Sequence, residues 1–228
     1  VWSSSKLLDQ TEDSLALSFA QRLPNLRYVA LWDQWLHWKG TKWESDSTLE
    51  AYDLLRKHVR SEVPTEKQFL KATSVSAIEK LARADRRYAA TVDQWDTQDG
   101  LLNTPDGPVS LQSGLMQEAD PSLYMSKSTA VAPKGRALRW HTFLDEVTGG
   151  DVDYQLFLQR VIGYCAGGST HEHAMFFLYG AGGNGKGIFL NTLQAVMGDY
   201  AKTAPMETFT DSKNDRHPTD MAMLHGAR

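Results

Sequence analysis

A chain of 228 residues holds one or two domains, and its 41% hydrophobic and 23% charged residues are ordinary for a soluble globular protein. With 24 basic against 28 acidic residues, the net charge of -4 excludes a protein drawn onto nucleic acid by its overall field, though not one with a local basic patch. Cys165 is the only cysteine, which excludes an internal disulfide and suits a reducing compartment. No apolar run approaches the roughly 20 residues that span a bilayer, and the start lacks a signal-peptide pattern.

In chain order, Ser14 to Leu23 reads as a short helix and Leu26 to Leu31 as a strand. Trp35 to Trp38, Lys39-Gly40 and Thr41 to Trp43 form a predicted aromatic hairpin. With Trp32 it is the most aromatic region of the chain. Its tryptophans suit either the core of a small sheet or, if exposed, stacking on bases. Leu49 to Val59 and Val75 to Tyr88 read as helices, the second with Ser74 or Ser76 as its cap. Between 51 and 90, nine basic residues face five acidic ones. Arg56, Lys57, Arg60, Arg83, Arg86 and Arg87 are the candidates for a DNA-facing patch, a solvated helix face being the alternative. Asp93, Asp96 and Asp99 read as helix-end and turn acids.

Leu101 to Asn103, Thr104-Pro105-Asp106-Gly107 and Val109 to Leu111 predict a second hairpin, because proline fixes one turn dihedral and glycine supplies a positive one. Pro121 to Pro133 is irregular, a connector or a strap. Leu138 to Val147 and Val152 to Cys165 are apolar-periodic helices, separated by Gly149-Gly150. His171, Glu172 and His173 follow Cys165 too irregularly for a zinc site and read as a solvent-facing turn.

The most informative run is GAGGNGKG, positions 180 to 187, between an expected strand at Met175 to Tyr179 and a helical pattern from Ile188 to Met197. Gly180, Gly185 and Lys186 fill three of the four fixed places of the phosphate-loop motif G-x-x-x-x-G-K-[S/T]. Gly187 stands where a hydroxyl normally coordinates Mg²⁺. Small residues let backbone N–H groups wrap a β-phosphate while the following helix aims its positive end at the same charge. Lys186 has the reach to bridge β- and γ-phosphates, the catalytic role in this motif. The nucleotide-binding candidates are Gly180, Ala181, Gly182, Gly183, Asn184, Gly185, Lys186, Gly187 and Ile188. Gly180, Gly182 and Gly185 also satisfy the dinucleotide fingerprint G-x-G-x-x-G, with Glu207 as its candidate acid. Lys186 has no role in that motif and favours the phosphate loop.

The missing initiator Met and the end at Arg228 predict a fragment. Only 42 residues follow Lys186, too few for the remaining strands and the acid that handles magnesium. The expectation is therefore a chain that does not hydrolyse ATP by itself.

Three stretches carry a family resemblance. Gly100 to Asn103 through Asp106 to Leu111 resembles a hairpin ahead of a helicase core. Trp140, Phe143-Leu144, Leu158 to Arg160, Gly163-Tyr164 and Gly167-Gly168 resemble its lead-in helices. The loop itself continues as Gly182 to Lys186, Phe189-Leu190, Leu193 and Gly198 to Tyr200, and Leu224 with Gly226 to Arg228 resembles the approach to the acidic strand. Together these resemble the superfamily 3 helicases of phage and plasmid primase–helicases, the group that includes poxvirus-type replication helicases. The resemblance covers residues 95 to 228 well and the aromatic part loosely.

It implies an ATP-dependent DNA helicase of the AAA+ type in phage or plasmid replication, a hexameric ring using ATP and Mg²⁺, with an upstream primase domain, in the host cell cytoplasm. The expected architecture is α/β. A helix-rich connecting module with small hairpins, 1–133, precedes a helical lead-in and the first part of a P-loop ATPase core, 134–228. Two further readings stand beside it: a non-catalytic DNA-binding or assembly module with a vestigial loop, and a small P-loop kinase.

Overall fold

The computed structural model describes residues 10–205, 208 and 226–228. Two compact units divide the chain, 1–95 and 96–228.

The first unit opens with helix α1, Glu12–Arg22, which starts two residues before the expected Ser14. Thr11 and Ser14 close a reciprocal capping box there, satisfying amides that the first turn leaves without partners. Leu15, Ala16, Phe19 and Ala20 recur at helical spacing and are buried. Strands β1 (Leu26–Val29), β2 (Gln34–Trp38) and β3 (Trp43–Ser45) follow, then helices α2 (Glu50–Glu62) and α3 (Ala72–Arg83) and the short strand β4 (Ala89–Ala90).

The sheet order is β3-β2-β1-β4, antiparallel except for the β1–β4 pair. Tyr28 opposite Trp35 sets the register that sends both rings into the helices. They join Phe19, Leu55, Val59, Ile78 and Tyr88 in one core. Tryptophan as core holds for Trp35 and Trp43, both buried, while Trp32 stays half-exposed against Trp95.

In this unit α2 and α3 have no side-chain hydrogen bond from the N-cap residue. Helix α3 begins at Ala72, so Ser74 and Ser76 lie inside it and neither caps it. Ser76 instead shares a hydrogen bond with the Tyr52 hydroxyl, 3.1 Å away on α2. At α2 the N-cap residue Leu49 is left-handed (φ 62°) and offers no acceptor. Asp46 does that work, accepting the amides of Thr48, Glu50 and Ala51 at 2.8–3.0 Å.

The second unit begins with the expected hairpin, β5 (Leu101–Thr104) and β6 (Gly107–Ser110). Gly107 turns at φ 122°, where an added Cβ would meet the Gln117 carbonyl at 2.6 Å. Helix α4 (Leu138–Thr148) stops at left-handed Gly149, and α5 (Val152–Gly167) is capped by Asp151, which accepts the Tyr154 amide. Helix α6 spans Lys186–Met197 and runs into a single tight turn at Gly198–Tyr200.

The irregular stretch before α4 is a strap within this unit. The Thr129 amide donates to the Asn103 carbonyl, that of Ala130 to Val196, and that of Asp199 to Ser128. Tyr200 is buried beside it, its hydroxyl 3.2 Å from the Asn103 amide and its ring under the Arg228 guanidinium.

Candidate functional site

The glycine run lies between an irregular apolar segment and α6. Met175 to Tyr179 forms no strand, which corrects the expected context. A strand needs a neighbour to take its N–H and C=O groups, and none among the described residues runs beside this segment. Met175, Phe177 and Tyr179 are 73–83% exposed, while Phe176 packs edge-on against Tyr164 of α5.

The loop itself depends on glycine at two points. Gly180 (φ 139°) would bring a Cβ to 2.8 Å from the Asn184 amide nitrogen, and Gly185 (φ 84°) one to 2.6 Å from Val147 on α4. Gly185 is also the N-cap of α6, with no side-chain oxygen over the first turn. The amides that open the helix, from Lys186 onward, therefore have no capping side chain, an arrangement that favours an anion. Lys186 folds back over the loop. Its Nζ donates to the carbonyls of Gly180 (3.0 Å) and Ala181 (3.1 Å) and to Asn184 Oδ1 (2.6 Å). Gly182, Gly183, Gly187 and Ile188 are exposed around this centre, and Gly187 brings no hydroxyl to it.

The geometry of the loop alone does not mark a phosphate site, because the lysine is engaged by the loop's own oxygens. No group of three His, Cys, Asp or Glu side chains placed for a metal occurs among the described residues. Glu207 and Leu224, named from the sequence, lie outside the described residues.

The basic candidates do not gather in one place. Arg56 and Lys57 pair with Asp53 on α2, and Arg60 lines a shallow pocket with Arg56 and Val75. Val75 stands eight residues from Arg83 on α3, about 12 Å of helix axis, so Arg83 belongs to the other end. There it is drawn inward: Nε meets Glu79 at 2.6 Å, NH1 meets Asp33 at 2.7 Å and the Tyr28 hydroxyl at 2.8 Å. Arg87 grips Asp85 and the Leu17 carbonyl. Arg86 is exposed. Sequence reasoning missed the partners: Asp33 lies 50 residues from Arg83, and no local spacing announces it.

Among known families, the one described as D5 N terminal like matches residues 16–149. No curated protein matches the chain.

Proposed function

This chain belongs to the D5 N terminal like family, the N-terminal region of poxvirus-like primase–helicases, and on that premise we propose that it serves an ATP-dependent DNA helicase in phage or plasmid replication. Residues 1–133 act as the connecting module and 134–228 as the start of the motor, assembled as a hexameric ring on DNA beside a primase domain. The family match ends at residue 149. The proposal for the loop therefore rests on its own residues. One observation carries it: the Lys186 ammonium folds onto the glycine run that leads into the uncapped start of α6, where Gly180, Gly183 and Gly185 hold positive backbone angles that side chains rarely adopt.

In this reading the backbone amides of Gly183 to Lys186 hold the β-phosphate, and Lys186 exchanges its loop carbonyls for β- and γ-oxygens. Gly180 and Gly182 shape the loop, and Asn184 steers the lysine. Mg²⁺ entering with ATP would supply positive charge against the phosphates. Gly187 offers the ion no hydroxyl, so among the loop residues none would be its direct ligand. Labelled ATP binding tests the assignment. The chain binds, and Lys186→Ala lowers affinity at least about tenfold, the scale of one charge-assisted contact. Equal binding by both proteins contradicts it.

Gly187 also favours a second reading, a DNA-binding or assembly module whose loop no longer takes nucleotide. Absence of ATP binding by the unaltered chain, with DNA binding retained, selects that alternative.

A further inference from the structure

We propose that the nucleobase of the bound nucleotide lies in the cavity that α4 and α5 form beside Lys186, so that these helices read the base while the loop holds the phosphates. This rests on the phosphate-loop reading above. The cavity measures about 420 Å³, within the range of small-molecule sites. Its lining is divided in character. Phe143 and Val147 of α4, Tyr154 and Phe157 of α5 and the apolar segment 175–179 supply an apolar, aromatic wall, and Asn184 and Lys186 supply a polar end. A nucleotide has the same division: a planar aromatic base joined to a polyanion.

A second fact concerns cost. Tyr154 is 48% and Phe157 50% exposed, their rings nearly parallel (18°) along one face of α5. An apolar protein segment laid in this cavity would cover those rings but would bury the Lys186 ammonium with only the neutral oxygens of Gly180, Ala181 and Asn184 around it and no anion to balance its charge. A nucleotide satisfies both ends at once, with the base against the rings and phosphate oxygens against the amine. Gly185 fixes the geometry between them: the loop approaches Val147 so closely that the phosphate site and the aromatic wall keep one spacing.

The test compares ATP with inorganic tripolyphosphate by titration calorimetry on the chain. ATP should bind more tightly than tripolyphosphate. Phe157→Ala, and separately Tyr154→Ala, should weaken ATP about tenfold, the scale of one base–aromatic stack, and leave tripolyphosphate unchanged. Lys186→Ala should weaken both ligands. Unchanged tripolyphosphate binding also shows that the α5 variants are folded. If both α5 variants bind ATP as the unaltered chain does, or lose ATP and tripolyphosphate equally, the base subsite is overturned while the phosphate loop stands. If the unaltered chain binds neither ligand, both proposals fall.

Discussion

Glu79 is a buried carboxylate with one oxygen shared between two donors, the Trp35 indole at 2.7 Å and Arg83 Nε at 2.6 Å. Removing it leaves an indole N–H without its acceptor in the core and a guanidinium short of its nearest anion. Glu79→Ala is therefore expected to cost about 2–3 kcal/mol in denaturant unfolding, against less than about 0.5 kcal/mol for exposed Arg86→Ala. His58 makes a different prediction. Burial pushes its imidazole pKa down, and Arg22 adds to this, while the neighbouring Glu62 and the Leu15 carbonyl pull the other way. Its Nε2 lies 2.7 Å from the Ser18 hydroxyl in a half-buried contact between α1 and α2. A depressed folded pKa means that the unfolded chain takes up the proton first. The contribution is thus fully present above the unfolded value of about 6.5 and is lost as pH falls below it toward the folded value. Urea midpoints measured at pH 7.5 and 5.5 should fall for the unaltered chain and fall less for His58→Gln.

Among the elements, the helices and both hairpins were legible because their signals are local. The Asp106-Gly107 turn, Gly149 after α4 and the apolar periodicity of α1 to α6 each act within a few residues. Helix starts were less so. A cap is chosen by backbone direction, and at α2 the acceptor comes from Asp46, three residues before the N-cap position. Burial raises the Asp46 pKa, but the amides of Ala51, Glu50 and Thr48 outweigh it and hold the carboxyl low. Asp46→Ala should destabilise the first unit by about 1–2 kcal/mol, read from its thermal midpoint, with no change in ATP binding. Met175 to Tyr179 went wrong for the opposite reason. A run of five apolar residues suits a central strand, yet strand formation requires partners elsewhere in the chain, and composition cannot supply them.

Across the molecule, apolar burial is uneven. The first unit encloses a continuous core from Leu15 to Tyr88, whereas α5 buries no residue and α6 only Phe189. Amides of α1 and α3 should accordingly exchange with deuterium far more slowly than those of α5. For the candidate site, the sequence carried the loop and its lysine but not the aromatic wall beside it, because α4 and α5 meet the loop only in space.

Helix α6 has both of its ends engaged. One begins in the glycine run; the other is stitched through Val196, Asp199 and Tyr200 to the strap and to strand β5. At 12 residues it is a stiff rod about 18 Å long. Gly198 leaves that far end no slack, since even a methyl group would strike the Ala130 amide at 2.7 Å. A tilt imposed at the lysine end is thus transmitted as leverage to the β5–β6 hairpin, which lies in the stretch shared with the family.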